Sequence, residues 1–331
     1  MEKLGRIAII GGGSWATAIA KMVLDKEVSI NWYMHRQDRI DDFIEKGHNP
    51  AYLTNVSFDI NRINFTSDIN TCVAQSDAII FATPSPYLTD ELSHLTLPLK
   101  DKVIITAIKG IIPNGNHIIS DYFALKYDID ATNIAAIAGP CHAEEVAKNN
   151  LSYLTVSCIS LERAQSVANL LISDTIRVTT NKDIIGVEYS SVLKNVYAVA
   201  SGIYNGLAYG DNFQAVFMAN SILETEQFIN KIHPLNRNVC ESVYLGDLLV
   251  TGYSKYSRNR TFGYAVGTGY SIKDAQDKMG MVAEGYYGTK CIYEIAKKHS
   301  IEMPILEAVY AVLYQNTDPK VTMRQLTSKL K

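Results

Sequence analysis

The 331-residue chain has no C-x-x-C pair; its five cysteines, Cys72, Cys141, Cys158, Cys240 and Cys291, are scattered and odd in number. That spacing argues against a disulfide framework or a common zinc module and fits a reducing compartment. The seven histidines are dispersed, with no clustered ligand set for a metal. No uninterrupted apolar run approaches the roughly 20 residues a membrane span needs. Neither sign of charge dominates: 34 acidic against 31 basic residues give −3, which leaves no basic surplus for nucleic acid. The start, MEKLGRIAII, runs straight into glycines with no cleavage site behind it, unlike a signal peptide. Internal repeats and low-complexity segments are also missing. What remains is an ordinary globular composition, 47% apolar and 20% charged. The length suits about two domains of roughly 150 residues each. The expectation is a soluble, cytoplasmic enzyme.

The first half alternates short β-rich runs with helical stretches. Strands are expected at 6–10 (RIAII), 28–34, 78–82, 103–108, 134–138, 154–159 and 176–178, with a helix over 16–24. Strands separated by helical segments predict a Rossmann-like α/β domain with a mostly parallel sheet. From about residue 186 the pattern becomes helical. Residues 187–229 and 282–314 read as helix, the latter interrupted at Met303-Pro304. The polar junction Thr179-Thr180-Asn181-Lys182 sets the boundary, with an α/β domain over 1–183 and an all-α domain over 184–331.

Gly11-Gly12-Gly13-Ser14-Trp15-Ala16 follows the first strand and opens a helix. Gly11 would allow the tight turn, and Gly13 would let a pyrophosphate approach the backbone at the helix N-terminus. Ala16 fills the third glycine position, where only a small side chain is needed. A glycine-rich turn without a ligand has the same local pattern, so the strand–turn–helix context carries the dinucleotide reading. At the end of the second strand, Met34-His35-Arg36 stands where NAD sites usually place a carboxylate. A basic pair there suits a 2′-phosphate. NADPH is favoured over NADH, with NADH left open and a solvated turn as the plain alternative.

Two lysines sit where charge is expensive. Lys109 ends the run VIITAI, at the carboxyl end of a strand, where open α/β sheets bind ligands; a solvated cap would look the same. Lys194 is the lone charged residue between Glu188 and Asp211. It lies in a helix apolar on most faces, and such a helix is normally buried. An unpaired buried ammonium is costly, so Lys194 must snorkel, pair or serve a ligand. Glu188 is on the wrong face to pair with it. Asp247, in the apolar stretch LGDLL, is a candidate partner, with Thr251 one turn on. Ser257-Arg258-Asn259-Arg260 is dense in donors and suits a phosphate, although a surface loop would read alike.

With these features in order, the chain resembles the NAD(P)-dependent glycerol-3-phosphate dehydrogenases of the bacterial biosynthetic type. The resemblance spans nearly the whole chain, through GGGSWATAIA, AIKG, GPCHAEEVA, VLKNVYAVASGIYNGLAYGDN, LGDLLVT, SRNRTFG, VAEGYYGTK and EMPILEAVYAVLY. It implies reversible hydride transfer between NADPH or NADH and dihydroxyacetone phosphate, giving sn-glycerol 3-phosphate for phospholipid synthesis, in a homodimer. It implies Lys194 as proton acceptor supported by Asp247, and Lys109 touching substrate and cofactor. It places Gly139 and Cys141 in a substrate loop, and Arg258 and Asn259, with Ser257 beside them, near the substrate phosphate. Ser14, Trp15, His35, Arg36, Ala143, Val282 and Glu284, together with Lys109 and Arg258, match cofactor-contacting positions.

The departures leave the charged groups in place. Ala16 stands where glycine is usual, and Cys141 stands where Ser or Thr is usual, exchanging a hydroxyl donor for a weak thiol. Tyr189-Ser190-Ser191-Val192 replaces a Gly-rich stretch, and Tyr244 and Gly252 replace Gly and Cys around LGDL. The rival readings are a reductase of another small keto acid and a dinucleotide-binding redox sensor without turnover. The lone buried lysine disfavours the sensor, and the SRNR run favours a phosphorylated substrate.

Overall fold

The computed structural model describes residues 4–26, 28–279 and 282–331. By internal packing the chain divides into two units, Met1–Ile108 with Ile119–Ile184, and Lys109–Ile118 with Ile185–Lys331. The short segment Lys109–Ile118 therefore groups with the helical residues, whereas the sequence places it in the α/β part.

The first unit is built on eight strands: β1 (Ile7–Ile10), β2 (Ile30–Tyr33), β3 (Ile63–Thr66), β4 (Ala78–Phe81), β5 (Val103–Thr106), β6 (Ile134–Ala138), β7 (Ser152–Ser157) and β8 (Ile176–Asn181). They form one sheet in the order β3-β2-β1-β4-β5-β6-β7-β8. Every neighbouring pair is parallel except β6–β7, which is antiparallel. The helices of this unit are α1 (Ser14–Leu24), α2 (Gln37–Lys46), α3 (Ile69–Ala74), α4 (Ser85–Ser93), α5 (Ile119–Tyr127), α6 (Ala143–Ala147) and α7 (Leu161–Leu171). The central strands β1 and β4 are buried at every position, as continuous apolar runs in a covered parallel sheet must be. β3 was not anticipated: INFT alternates, and only Ile63 is buried, as befits an edge strand.

The second unit is helical: α8 (Ile184–Gly206), α9 (Asp211–Ile232), α10 (Asp247–Tyr253), α11 (Arg258–Gly267), α12 (Ile272–Met279), α13 (Glu284–Lys298), α14 (Pro304–Tyr314) and α15 (Pro319–Thr327). The helical stretch expected over 187–229 is two helices, broken before Gly210-Asp211. α8 is buried without interruption over 187–204. Backbone-to-backbone packing makes this possible. A Cβ at Gly202 would lie 2.1 Å from Arg260 O, and one at Gly263 would lie 1.9 Å from Val199 O. Glycines on both faces thus let α8 and α11 approach closer than any side chain allows. Gly285 does the same for α13, where a Cβ would lie 2.4 Å from Asn195 O. No helix among the described residues is long and apolar enough to cross a membrane.

Candidate active site

In the first unit the strand-to-helix turn is held from below. Gly11 adopts φ +123°, a conformation open to glycine, and its carbonyl accepts a 2.7 Å bond from the buried Trp32 indole. Asn49, also buried, donates to Gly12 O at 3.1 Å and to Thr17 Oγ1 at 2.8 Å. Trp15 donates its indole N–H to Ala107 O at 3.1 Å. Gly13 caps α1, no acidic residue lies in the first turn, and a Cβ built on Gly13 would meet nothing within 4 Å. Open space at a helix N-terminus with no side-chain cap and no carboxylate in its first turn is what a pyrophosphate requires, so these residues fit a dinucleotide. Ser14 is buried in the first turn of α1.

His35 and Arg36 follow β2 and are exposed. They line, with Gly12, Asn49 and Tyr52, a cleft of about 280 Å³. Gly139, at φ +108°, ends β6. A Cβ there would come within 3.0 Å of Tyr153 O, so the turn into Cys141 needs glycine on two counts. Cys141 is buried, and Ala143, also buried, opens α6.

In the second unit three charged side chains converge. Lys194 Nζ donates to Asp247 Oδ1 at 2.5 Å, and Lys109 Nζ reaches Asp247 Oδ2 at 3.4 Å. Lys194 and Asp247 are only 5% and 1% exposed. A π-helical stretch, Ser242–Gly246, runs directly into α10 and delivers Asp247 at its first position. Asp247 O accepts from Thr251 Oγ1 at 2.6 Å.

Burial drives the Lys194 ammonium from its ordinary 10.5 down to about 7; Asp247 pulls it up and Lys109 pushes it down further. Burial alone would raise the Asp247 carboxyl, but Lys109 and Lys194 outweigh it and hold it below the usual range. The cluster thus joins a fixed anion to a lysine able to carry or release a proton near neutrality.

A chain of amides supports it. Asn195 Nδ2 donates to the Lys109 carbonyl at 2.8 Å. Asn259 Nδ2 donates to Asn195 Oδ1 at 2.9 Å, and Gly285 N donates to Asn259 Oδ1 at 2.9 Å. Asn259 is buried on α11, and Ser257 caps that helix by accepting from Arg260 N at 3.3 Å. Arg258 and Glu284 open α11 and α13 respectively, and Val282 is half-buried just ahead of α13. The structure therefore gathers Lys109, Lys194, Asp247 and Asn259 around α8. Asn195 was passed over in the sequence, although a buried amide beside Lys194 must find partners. Among the described residues no group of three or more His, Cys, Asp or Glu could hold a metal ion.

Two family models match the chain: NAD-dependent glycerol-3-phosphate dehydrogenase N-terminus over residues 6–164 and C-terminus over residues 183–324. The NAD(P)+ glycerol-3-phosphate dehydrogenase of Bacillus subtilis is 35% identical over 328 residues, covering 98% of this chain and 94% of that protein. The crystal structure of glycerol-3-phosphate dehydrogenase from Coxiella burnetii superposes with a TM-score of 0.89 at 28% identity, covering 98% of each chain. A ketopantoate reductase from Ralstonia eutropha has a TM-score of 0.60 at 12% identity, covering 97% of this chain and 99% of that one, which is a likeness of fold alone.

Proposed function

The chain belongs to the NAD-dependent glycerol-3-phosphate dehydrogenase family, and from that premise we propose how its own residues carry out the reaction. The reaction is the reversible interconversion of dihydroxyacetone phosphate and sn-glycerol 3-phosphate. A bound nicotinamide cofactor would supply the hydride as NADPH or NADH and accept it as NADP+ or NAD+. Lys194, as ammonium, donates a proton to the alkoxide that forms on reduction; as neutral amine it takes that proton back on oxidation. Asp247 holds the Lys194 amine in place and keeps a balancing charge beside it. Lys109 adds positive field where negative charge develops, an effect that favours the transition state over the bound ketone.

Arg258, Asn259 and Ser257 would hold the substrate phosphate, using that remote binding energy to orient the carbonyl. Gly139 and Cys141 would line the substrate loop. Gly11, Gly13, Ser14 and Trp15 would cradle the dinucleotide, the basic turn that begins at His35 and Arg36 would favour a 2′-phosphate, and Ala143, Val282 and Glu284 would complete its contacts. The two domains, 1–183 and 184–331, divide these tasks, with Lys109 contributed to the helical side. A cytoplasmic homodimer supplying phospholipid backbones completes the reading, on family likeness alone.

The observation that carries the proposal is the buried Lys194–Asp247 pair with Lys109 beside it. A dinucleotide sensor would have no use for such a pair. The test is to supply dihydroxyacetone phosphate with NADPH or NADH and assay the product. Formation of sn-glycerol 3-phosphate supports the reading. Dinucleotide binding without turnover contradicts it and favours the sensor.

A further inference from the structure

Three basic side chains stand at the start of α2, in unequal circumstances. Arg36 is committed to its own turn: Nε donates to Asp38 Oδ1 at 2.9 Å, and Nη2 pairs with Asp38 Oδ2. His35 lies in the field of the half-buried Glu91 carboxyl. Arg39, one turn on, makes no side-chain hydrogen bond or ion pair among the described residues, and it reaches Asp38 only through space. Its side chain nevertheless lines the 280 Å³ cleft beside the glycine turn, with His35, Arg36, Gly12, Asn49 and Tyr52.

The cleft has the makings of an anion site. No carboxylate lines it among the described residues. Its far wall is rigid, because Asn49 Oδ1 accepts from the Ala51 and Tyr52 amides while Nδ2 ties the wall to Gly12. The N-terminus of α2, ten residues long, has no side-chain cap and adds partial positive charge at the same place. Arg36, already neutralised by Asp38, has fewer donors left for a ligand. A half-buried guanidinium with no side-chain partner among the described residues is better suited to a phosphate, which it can bind through paired hydrogen bonds.

We propose that Arg39 is the residue that selects NADPH: it reads the 2′-phosphate, while Arg36 shapes the turn through Asp38. This rests on the dinucleotide reading of the glycine turn given above. The test measures binding without catalysis, by calorimetry with adenosine 2′,5′-bisphosphate and with adenosine 5′-monophosphate. The variants are Arg39→Gln and the double variant Arg36→Gln/Asp38→Asn, which removes both members of the pair. The wild-type protein should bind the bisphosphate at least tenfold tighter. Arg39→Gln should weaken the bisphosphate roughly 10- to 100-fold and leave the monophosphate within about twofold. The double variant should keep the ratio of the two affinities. The proposal is overturned if Arg39→Gln keeps the preference while the double variant loses it, or if Arg39→Gln weakens both ligands alike. Equal wild-type affinity for the two ligands overturns this proposal alone. Binding of neither ligand overturns the dinucleotide reading as well.

Discussion

Lys194 and Asp247 are 53 residues apart in the chain and 2.5 Å apart at their charged atoms. Burial lowers the lysine to about 7 despite that carboxylate, so its protonation changes within the working range of pH. The two directions of the reaction should then respond oppositely. Ketone reduction needs the ammonium, so kcat should fall as pH rises through about 7. Alcohol oxidation needs the free amine, so kcat should rise over the same interval. Steady-state profiles in both directions check this, and parallel slopes would contradict it.

The amide chain from Gly285 through Asn259 and Asn195 to the Lys109 carbonyl predicts a coupled pair. Asn195→Ala should leave a carbonyl and an amide unpaired in the interior, costing about 1–3 kcal/mol. Adding Asn259→Ala should cost less than the sum of the singles, because both belong to one network. Urea unfolding of the two single variants and the double variant measures the coupling; strict additivity would show that the chain does not act as a unit.

Close helix packing predicts a sharp contrast between two glycines. Gly263→Ala places a methyl 1.9 Å from Val199 O, so α8 and α11 must separate. The expected loss is about 3 kcal/mol or more, in the class of severe overpacking. Gly210→Ala has nothing within 4 Å and a non-positive φ, so it should stay within about 0.5 kcal/mol. Thermal and urea denaturation of both variants decide the matter.

Glu224 offers a pH signature in stability. It is buried on α9 and accepts from Ile305 N at 2.8 Å, Leu306 N at 3.0 Å and Tyr197 Oη at 3.2 Å. Burial lifts its carboxyl from 4.5 to about 7, although the two amides and Tyr197 work to lower it. A carboxyl raised on folding holds a proton that the unfolded chain has lost, so its contribution is full below about 4.5 and declines as pH rises to about 7. The wild-type protein should therefore lose stability relative to Glu224→Gln across that window, by on the order of 3 kcal/mol. Urea unfolding of both proteins at about pH 4 and about pH 8, one on each side of the window, checks the sign.

Much of this was legible in the residues. Runs such as AIIF and IAAIA announce buried strands, and the glycine turn after RIAII is local chemistry. Lys194 stood out because one charge in an apolar helix has few explanations. Its partner was harder, since Asp247 reaches it only through the crossing of α8 and α10. Ile63–Thr66 was missed because an edge strand buries little and shows weak apolar patterning. The grouping of Lys109–Ile118 with the helices depends on tertiary packing, for instance Asn195 holding the Lys109 carbonyl, which local sequence does not encode. Asn195, Glu224 and Arg39 look like ordinary polar residues until their surroundings are known.

The central claim is that Lys194 moves the proton. Its most direct test is the rate of NADPH oxidation driven by dihydroxyacetone phosphate in wild-type protein and in Lys194→Ala, with NADPH affinity measured alongside. The account predicts a fall in kcat of roughly 10²- to 10⁴-fold, the range of general acid–base catalysis, with NADPH binding unchanged. Turnover by Lys194→Ala within about threefold of wild type, far short of that range, would contradict it.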